Sequence, residues 1–230
     1  MVISTIKKIF IKPVRLDYLN FILRRKGIKV LDVGCGDHSP SLTKSYFPDC
    51  LYYGVDRSRG HNLDEKDFEC MEAFFEMDLT HPNELKKIPD NFFDCIIFNH
   101  VIEHLPNGKE VLAHLTPKLM PSGIIYVEFP GPLSIHLPSF QNKKFLKGTL
   151  NFYDDPTHVS LFSAREIKEF LEKQGLKVLR FGTRHSWKRI LLLPLYLIGS
   201  IVIYRSILSG ILWDLTGFAN YVVAIKDRTL

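Results

Sequence analysis

A run of apolar residues that enters one carboxylate and then two glycines, Val30-Leu31-Asp32-Val33-Gly34-Cys35-Gly36, constrains this chain more than any other segment. Valine and leucine favour a strand buried on both faces, and the glycines let the backbone turn with positive φ and approach a bound molecule closely. Open α/β sheets bind ligands at the carboxyl edge of their strands, so a strand ending in this way is expected to end on a ligand.

Further apolar runs repeat the rhythm. Strands are expected near 29–33, 51–55, 74–77, 93–98 and 124–129, with helical stretches between several of them. One helix is expected over 109–119, shortened or bent by Pro117, and Pro121-Ser122-Gly123 makes the turn into the next strand. A second helix starts after Ser163, which has capping-box spacing to Glu166, carries the stripe Ile167, Phe170 and Leu171, and ends at Gly175. Two last strands, at 176–181 and 219–225, are expected to pair antiparallel at one edge.

At 230 residues the chain fits one α/β domain with embellishments. A net charge of +5 with interleaved acids is an ordinary solvated surface and does not call for nucleic acid. Cys35, Cys50, Cys70 and Cys95 form no Cys-x-x-Cys pair, which argues against a zinc site or a disulfide framework. Reduced thiols and an N-terminus unlike a secretory signal point to a cytoplasmic protein. Residues 1–26 read as a basic amphipathic helix packed on its own domain.

The residues after the glycines restrict the ligand. A nicotinamide fingerprint asks for a third glycine at position 39, and Ser39 stands there. Asp32 would repel a pyrophosphate but can accept hydrogen bonds from a cationic amino group. Asp56, twenty residues after Gly36, can accept from both hydroxyls of a ribose, and Asp78 is placed to accept from an adenine amino group. Three carboxylates at adjacent strand ends, with no phosphate-loop lysine, describe an adenosine that carries an amino acid and no phosphate.

On these residues the sequence resembles the class I S-adenosylmethionine-dependent methyltransferases, particularly the small-molecule type. Asp32-Val33-Gly34-Cys35-Gly36 is similar to the family's first motif, Gly54-Val55-Asp56 to its ribose acid and Met77-Asp78-Leu79 to its adenine contact. The segment from Phe93 to His100 is similar to the fourth strand, and Leu119-Met120-Pro121-Ser122-Gly123-Ile124 to the turn into the fifth. The chain departs from the family at His38, where a third glycine is common. The resemblance implies a Rossmann-like, seven-stranded, mostly parallel sheet flanked by helices, with the last strand antiparallel. It also implies S-adenosylmethionine as methyl donor, held by Asp32, Gly34, Cys35, Gly36, Asp56, Arg57, Asp78, Leu79, Asn99 and His100. A silent S-adenosylmethionine-binding subunit and, less favoured, a nicotinamide-dependent oxidoreductase are the competing readings.

Methyl transfer from a sulfonium is an in-line displacement, which asks mainly for positioning and exclusion of water. A hydroxyl acceptor adds the need for a base near neutral pH. The candidates are Glu103 and His104, which share helix-like spacing with His100, and His158. No metal is expected, because no cysteine or second glutamate completes the ligand set. The acceptor is expected to be an oxygen on a small molecule, a glycan or a lipid-linked compound.

Two segments fall outside the rhythm. Residues 130–157, rich in Pro, Asn, Lys and aromatics, are a candidate lid. Residues 184–216 form a hydrophobic insertion in which 190–204 carry no charge, too few to span a membrane. Pro194 and Gly199 argue against one straight helix there. The basic edge at Arg184, His185, Lys188 and Arg189 suits docking of 188–213 at a membrane surface. A substrate-pocket wall or a subunit interface would bury the same residues.

Overall fold

The computed structural model describes residues 12–141 and 143–227. Seven strands form the main sheet: β1 (Lys29–Val33), β2 (Leu51–Asp56), β3 (Ala73–Glu76), β4 (Phe93–Asn99), β5 (Leu119–Pro130), β7 (Leu176–Thr183) and β9 (Ala219–Lys226). Their order is β3-β2-β1-β4-β5-β9-β7, with β9 antiparallel to both neighbours and the other pairings parallel. The expected α/β class and antiparallel final strand are therefore present. β3 starts one residue before its expected position, and β5 starts at Leu119, with the Pro121-Ser122-Gly123 turn inside the strand as an irregularity.

The strands read as apolar runs because both faces are covered. Leu31, Val33, Ile96, Phe98, Ile125 and Val127 point to a core shared with the helices Gly108–Leu115 and Ala164–Lys173. Val30, Tyr52, Cys95, Ile97 and Tyr126 point the other way, onto Leu16, Leu19, Ile22 and Leu23. Those four lie in the short helices Val14–Tyr18 and Asn20–Leu23 and at Leu19 between them, so this part of the expected single helix is two short ones that pack on their own domain. The rest of that expectation, 1–11, lies outside the described residues.

The helix expected over 109–119 is Gly108–Leu115, followed by a 3-10 turn Thr116–Lys118 that Pro117 imposes. Ser163 caps Ala164–Lys173 as expected: its side chain accepts from the Glu166 amide. All four cysteines are free.

β1 pairs with both β2 and β4, and successive connections leave it in opposite directions, which opens a crevice at the carboxyl edge. Segments 131–157 and 184–218 rise from that edge, because β7 runs parallel to β5. They are joined by a two-residue parallel pair, β6 (Leu146–Lys147) with β8 (Ile207–Leu208), and by the Trp213 indole, which donates to the Thr149 carbonyl at 2.7 Å. The insertion is helical, as Trp187–Leu191, Leu193–Tyr204 and Ser209–Thr216. As expected, 190–204 is not one straight helix: it breaks at Leu192, and Pro194 lies in the first turn of the second helix, where its missing N–H costs nothing, whereas Gly199 lies inside that helix.

Candidate functional site

The glycine turn after β1 works through its main chain. Gly34 has φ +79°, and a Cβ there would lie 2.2 Å from Val101 Cγ2. The Gly34 and Cys35 amides both donate to the Val55 carbonyl, at 2.7 and 3.0 Å, which ties the turn to the end of β2. Gly36 then donates to Asp56 Oδ2 at 3.0 Å while Arg57 donates to Asp56 Oδ1 at 2.8 Å. Asp56 is thus fixed by backbone donors, with His61 Nδ1 a further 3.3 Å from Oδ1. Two carboxylate oxygens have about four lone-pair sites, so acceptor capacity remains toward the crevice.

His38, at the departure from the family motif, has φ +57°, the left-handed conformation that a glycine adopts freely. Its amide donates to the Asn62 carbonyl and its Nδ1 lies 2.7 Å from Asp67 Oδ2, a hydrogen bond that raises the imidazole pKa. The turn keeps a glycine-like backbone without the third glycine.

Asp32 is buried and accepts from the Ser39 hydroxyl at 2.6 Å and from the Tyr52 hydroxyl. Arg15 donates to the same Ser39 oxygen at 2.8 Å. Burial pushes the Asp32 carboxyl above its ordinary pKa, against the pull of Arg15, Ser39 and Tyr52. Asp78 is exposed at the end of β3, and Thr80 lowers its pKa by donating both its amide and its hydroxyl to Oδ1.

At the end of β4 the chain makes a 3-10 turn, Ile102–His104, which sets Glu103 between His100 and His104. His100 Nδ1 is 3.0 Å from Glu103 Oε1 and its Nε2 is 3.1 Å from Glu128 Oε1. Both ring nitrogens face carboxylate oxygens, so both carry protons. Burial opposes that charge, but the two glutamates outweigh it and hold the pKa up at about 9. Glu128 also receives the Tyr126 hydroxyl and Arg184 Nη1 at 2.6 Å, and Arg184 Nε donates to Asp214 Oδ1 at 3.1 Å. Burial acts against Glu128 ionisation, yet Arg184 and His100 hold its pKa well below the carboxylate range.

His104 and His158 face each other with ring centroids 4.8 Å apart. His158 Nδ1 donates to the Phe152 carbonyl at 2.6 Å. Thr157 Oγ1 donates to Asp155 and so accepts from His104 Nδ1, at 2.8 Å. Neither Nε2 has a hydrogen-bond partner among the described residues, and that of His158 lies 3.9 Å from Asp155 Oδ2. Glu103 Oε2 is buried with no hydrogen-bond partner among the described residues. Glu103, His104 and His158 bring ligand atoms within 4.8 Å of one another, a donor set able to take a proton or a divalent cation. The Glu103 carbonyl accepts from the Val159 and Ser160 amides, which fastens the end of the 131–157 segment to this corner.

A cavity of about 770 Å³ collects all of the sequence-nominated residues except Cys35. Cys35 is fully buried, and its Sγ would lie 2.7 Å from a Cβ at Gly54, inside the core rather than at the crevice. A second cavity of about 280 Å³ shares Arg15, Asn99, His100 and Trp213 with the first and runs under the insertion, along Tyr196, Gly199, Ile203 and Ile211. Arg15, Ser39, Tyr52, Glu128 and Arg184 were not legible as site residues. The available signal was a lone acid in an apolar strand, Glu128, and a lone acid in the apolar insertion, Asp214.

A family model described as a methyltransferase domain matches residues 10–180. A curated relative, an uncharacterized protein of Methanocaldococcus jannaschii, is 26% identical over 179 residues. That match takes in 76% of this chain and 46% of the relative, so the chain spans about half of the relative's length. A SAM-dependent methyltransferase from Archaeoglobus fulgidus superposes with a TM-score of 0.58 at 23% identity, over 95% of this chain and 94% of that one. An S-adenosylmethionine-dependent methyltransferase from Mesorhizobium loti gives a TM-score of 0.63 at 12% identity, over 94% and 100%. Phosphoethanolamine N-methyltransferase 2 of Haemonchus contortus, solved with S-adenosyl-L-methionine, gives 0.59 at 16% identity, over 91% and 51%. These structures share the sheet order's fold with this chain.

Proposed function

The chain belongs to the methyltransferase-domain family, and on that premise we propose that it methylates an oxygen of a small-molecule, glycan or lipid-linked acceptor, with S-adenosylmethionine as donor. When bound, that donor supplies an electrophilic methyl group on a sulfonium. Asp56 is assigned to the ribose hydroxyls, since backbone amides already fix its orientation and its remaining lone pairs face the cavity. Asp78 is assigned to the adenine amino group, Asp32 to the amino group of the amino-acid end and Arg15 to its carboxylate. The donor set suits a ligand of this kind: Asp32, Asp56 and Asp78 are among six carboxylates that line the cavity, and no lysine lines it among the described residues.

The observation that carries the oxygen-acceptor reading is the pair of Nε2 atoms on His104 and His158, neither hydrogen-bonded among the described residues, beside the buried Glu103 carboxylate, with Asp155 Oδ2 3.9 Å from that of His158. Their tautomers are set by Thr157 and the Phe152 carbonyl, so each presents a lone pair suited to removing a hydroxyl proton. His100, held doubly protonated, positions Glu103 instead of acting as a base. The second cavity, walled by apolar side chains, supports an acceptor with an apolar portion.

Calorimetry with S-adenosylhomocysteine and with nicotinamide cofactors tests the donor: binding of the first alone is expected, and no binding to folded protein overturns it. With an acceptor in hand, His158→Ala and His104→Ala should lower turnover by roughly a hundredfold or more at unchanged donor affinity. Dialysis against EDTA should leave turnover intact if the imidazoles work as bases. Loss restored by a divalent cation would make them ligands, and binding without turnover on any acceptor class would indicate a silent subunit.

A further inference from the structure

The helix Leu193–Tyr204 faces solvent in the reverse of the usual sense. A surface helix normally packs its apolar stripe inward and turns its polar one to water. Here Tyr196 and Ser200, one turn apart, are the buried side chains, and the Ser200 hydroxyl donates to the Ser206 carbonyl at 2.6 Å. The outward side carries Leu195, Ile198 and Val202 (74% exposed), spaced three and four residues apart and therefore on one stripe, and Leu191 (81%), at the end of the preceding helix, adds to the exposed apolar surface. Ile201, Ile203 and Tyr204 widen it. No charged side chain interrupts the helix over roughly 18 Å of its length.

The surroundings of the stripe have one sign. Lys188 precedes it and Arg205 ends it, both exposed. The β6–β8 pair brings in Phe145, 74% exposed, whose carbonyl accepts from the Ile207 amide at 2.7 Å, together with exposed Lys143, Lys144 and Lys147. Neither 143–147 nor 187–213 contains an acid, and the next one, Asp214, is buried against Arg184. Trp187, 79% exposed, stands at the end of the stripe nearest Lys188.

An apolar stripe rimmed by cations and edged by aromatic rings matches an anionic bilayer surface in charge and depth. Lysine and arginine stems reach lipid phosphates, aromatic rings favour the headgroup level, and aliphatic side chains enter the acyl boundary. Among the described residues no helix is long and apolar enough to cross a membrane, so this helix would lie in the plane of the interface. We propose that the face formed by Leu193–Tyr204, Trp187 and 143–147 docks on an anionic lipid bilayer. Docking needs neither cofactor nor turnover and so stands apart from the methyl-transfer reading. It would also set the second cavity, whose wall includes Gly199, Ile203 and Tyr204, against the lipid.

Flotation of the full chain with vesicles of phosphatidylcholine, alone or mixed with phosphatidylglycerol, tests this directly. The chain should float with the mixed vesicles, and at least about tenfold less with phosphatidylcholine alone or at raised salt, because the cationic rim is drawn to the anionic surface and salt screens that attraction. A Leu195→Asp, Ile198→Asp, Val202→Asp variant, checked for native far-ultraviolet circular dichroism, should stay with the soluble fraction. A Lys143→Ser, Lys144→Ser, Lys147→Ser variant keeps the stripe and should lose the preference for phosphatidylglycerol, which decides the matter even if the first variant fails to fold. Wild-type chain absent from the lipid fraction, or equal recovery of the folded aspartate variant, overturns the proposal. Self-association of the lipid-free chain that the aspartate variant abolishes, with no flotation of either, would assign the stripe to a second copy instead.

Discussion

The half of the cavity at β1 and β2 and the half at β4 and β5 hold their carboxylates by different means. At β1 and β2 the donors to Asp56 are main-chain amides, Gly36 and Arg57, within 20 residues of it. At β4 and β5 the partners of Glu128 are ionised side chains, His100 from 28 residues away and Arg184 from 56. Amides do not titrate and cannot swing away, so the hold on Asp56 should tolerate pH and depend on backbone shape, unlike that on its neighbour Asp32, which rests on the Ser39 and Tyr52 hydroxyls. The second half is a buried chain of charges, Glu103, His100, Glu128, Arg184 and Asp214, and should depend on every member being present and correctly protonated.

Arg184→Met breaks that comparison hardest. It leaves Glu128 and Asp214 buried without their main cation, which costs on the order of 3–5 kcal/mol and lowers the melting temperature by roughly 10 °C. Calorimetric melting that moved by only a degree or two would mean the network contributes little to holding β5, β7 and the insertion together. His100 comes next, through pH. Its imidazole titrates at an ordinary 6.5 when unfolded and at about 9 in the fold, where Glu103 and Glu128 outweigh the cost of burial. The resulting stabilisation is complete below about pH 6.5 and disappears as pH rises through 9, a total of about 3 kcal/mol. Urea unfolding across that window should show the fall in the wild type and a flat profile in His100→Asn; parallel profiles would remove His100 from the account.

The same contrast explains what could be read in advance. Buried parallel strands are continuous apolar runs, so β1, β2, β4 and β5 and the carboxylates Asp32, Asp56 and Asp78 at three strand ends stood out in the sequence. Local rules also sufficed for the Ser163 to Glu166 cap and for the shortening at Pro117. The second half escaped because Arg184 and Glu128 meet only after the sheet has formed, and no periodicity links residues 56 apart. Pro194 rightly marked that 190–204 is not one straight helix, but Gly199 marked no break: it lies inside Leu193–Tyr204, since a glycine in a helix costs propensity without forbidding it. Ser39 and His38 registered only as missing glycines. Each has a task that the missing glycine could not do, Ser39 joining Arg15 to Asp32 and His38 joining its turn to Asp67.

In the first half the effects should be smaller and confined to binding. Asp56→Ala removes the acceptor assigned to two ribose hydroxyls, and charge-assisted hydrogen bonds of this type are worth about 2–3 kcal/mol together, or roughly a hundredfold in affinity. Calorimetry with S-adenosylhomocysteine should show that loss, with a melting temperature near that of the wild type; unchanged affinity would move the ribose elsewhere. Ser39→Ala is the mildest and most discriminating change. Asp32 keeps the Tyr52 hydroxyl, so the carboxylate stays in place, while Arg15 loses the hydroxyl oxygen that holds its Nη2 at the cavity wall. About 1 kcal/mol, or fivefold in S-adenosylhomocysteine affinity, should disappear. Arg15→Met should cost more than Ser39→Ala, and the double variant no more than Arg15→Met alone, because the serine acts on the ligand through the arginine. Additive losses would instead place Ser39 itself on the ligand.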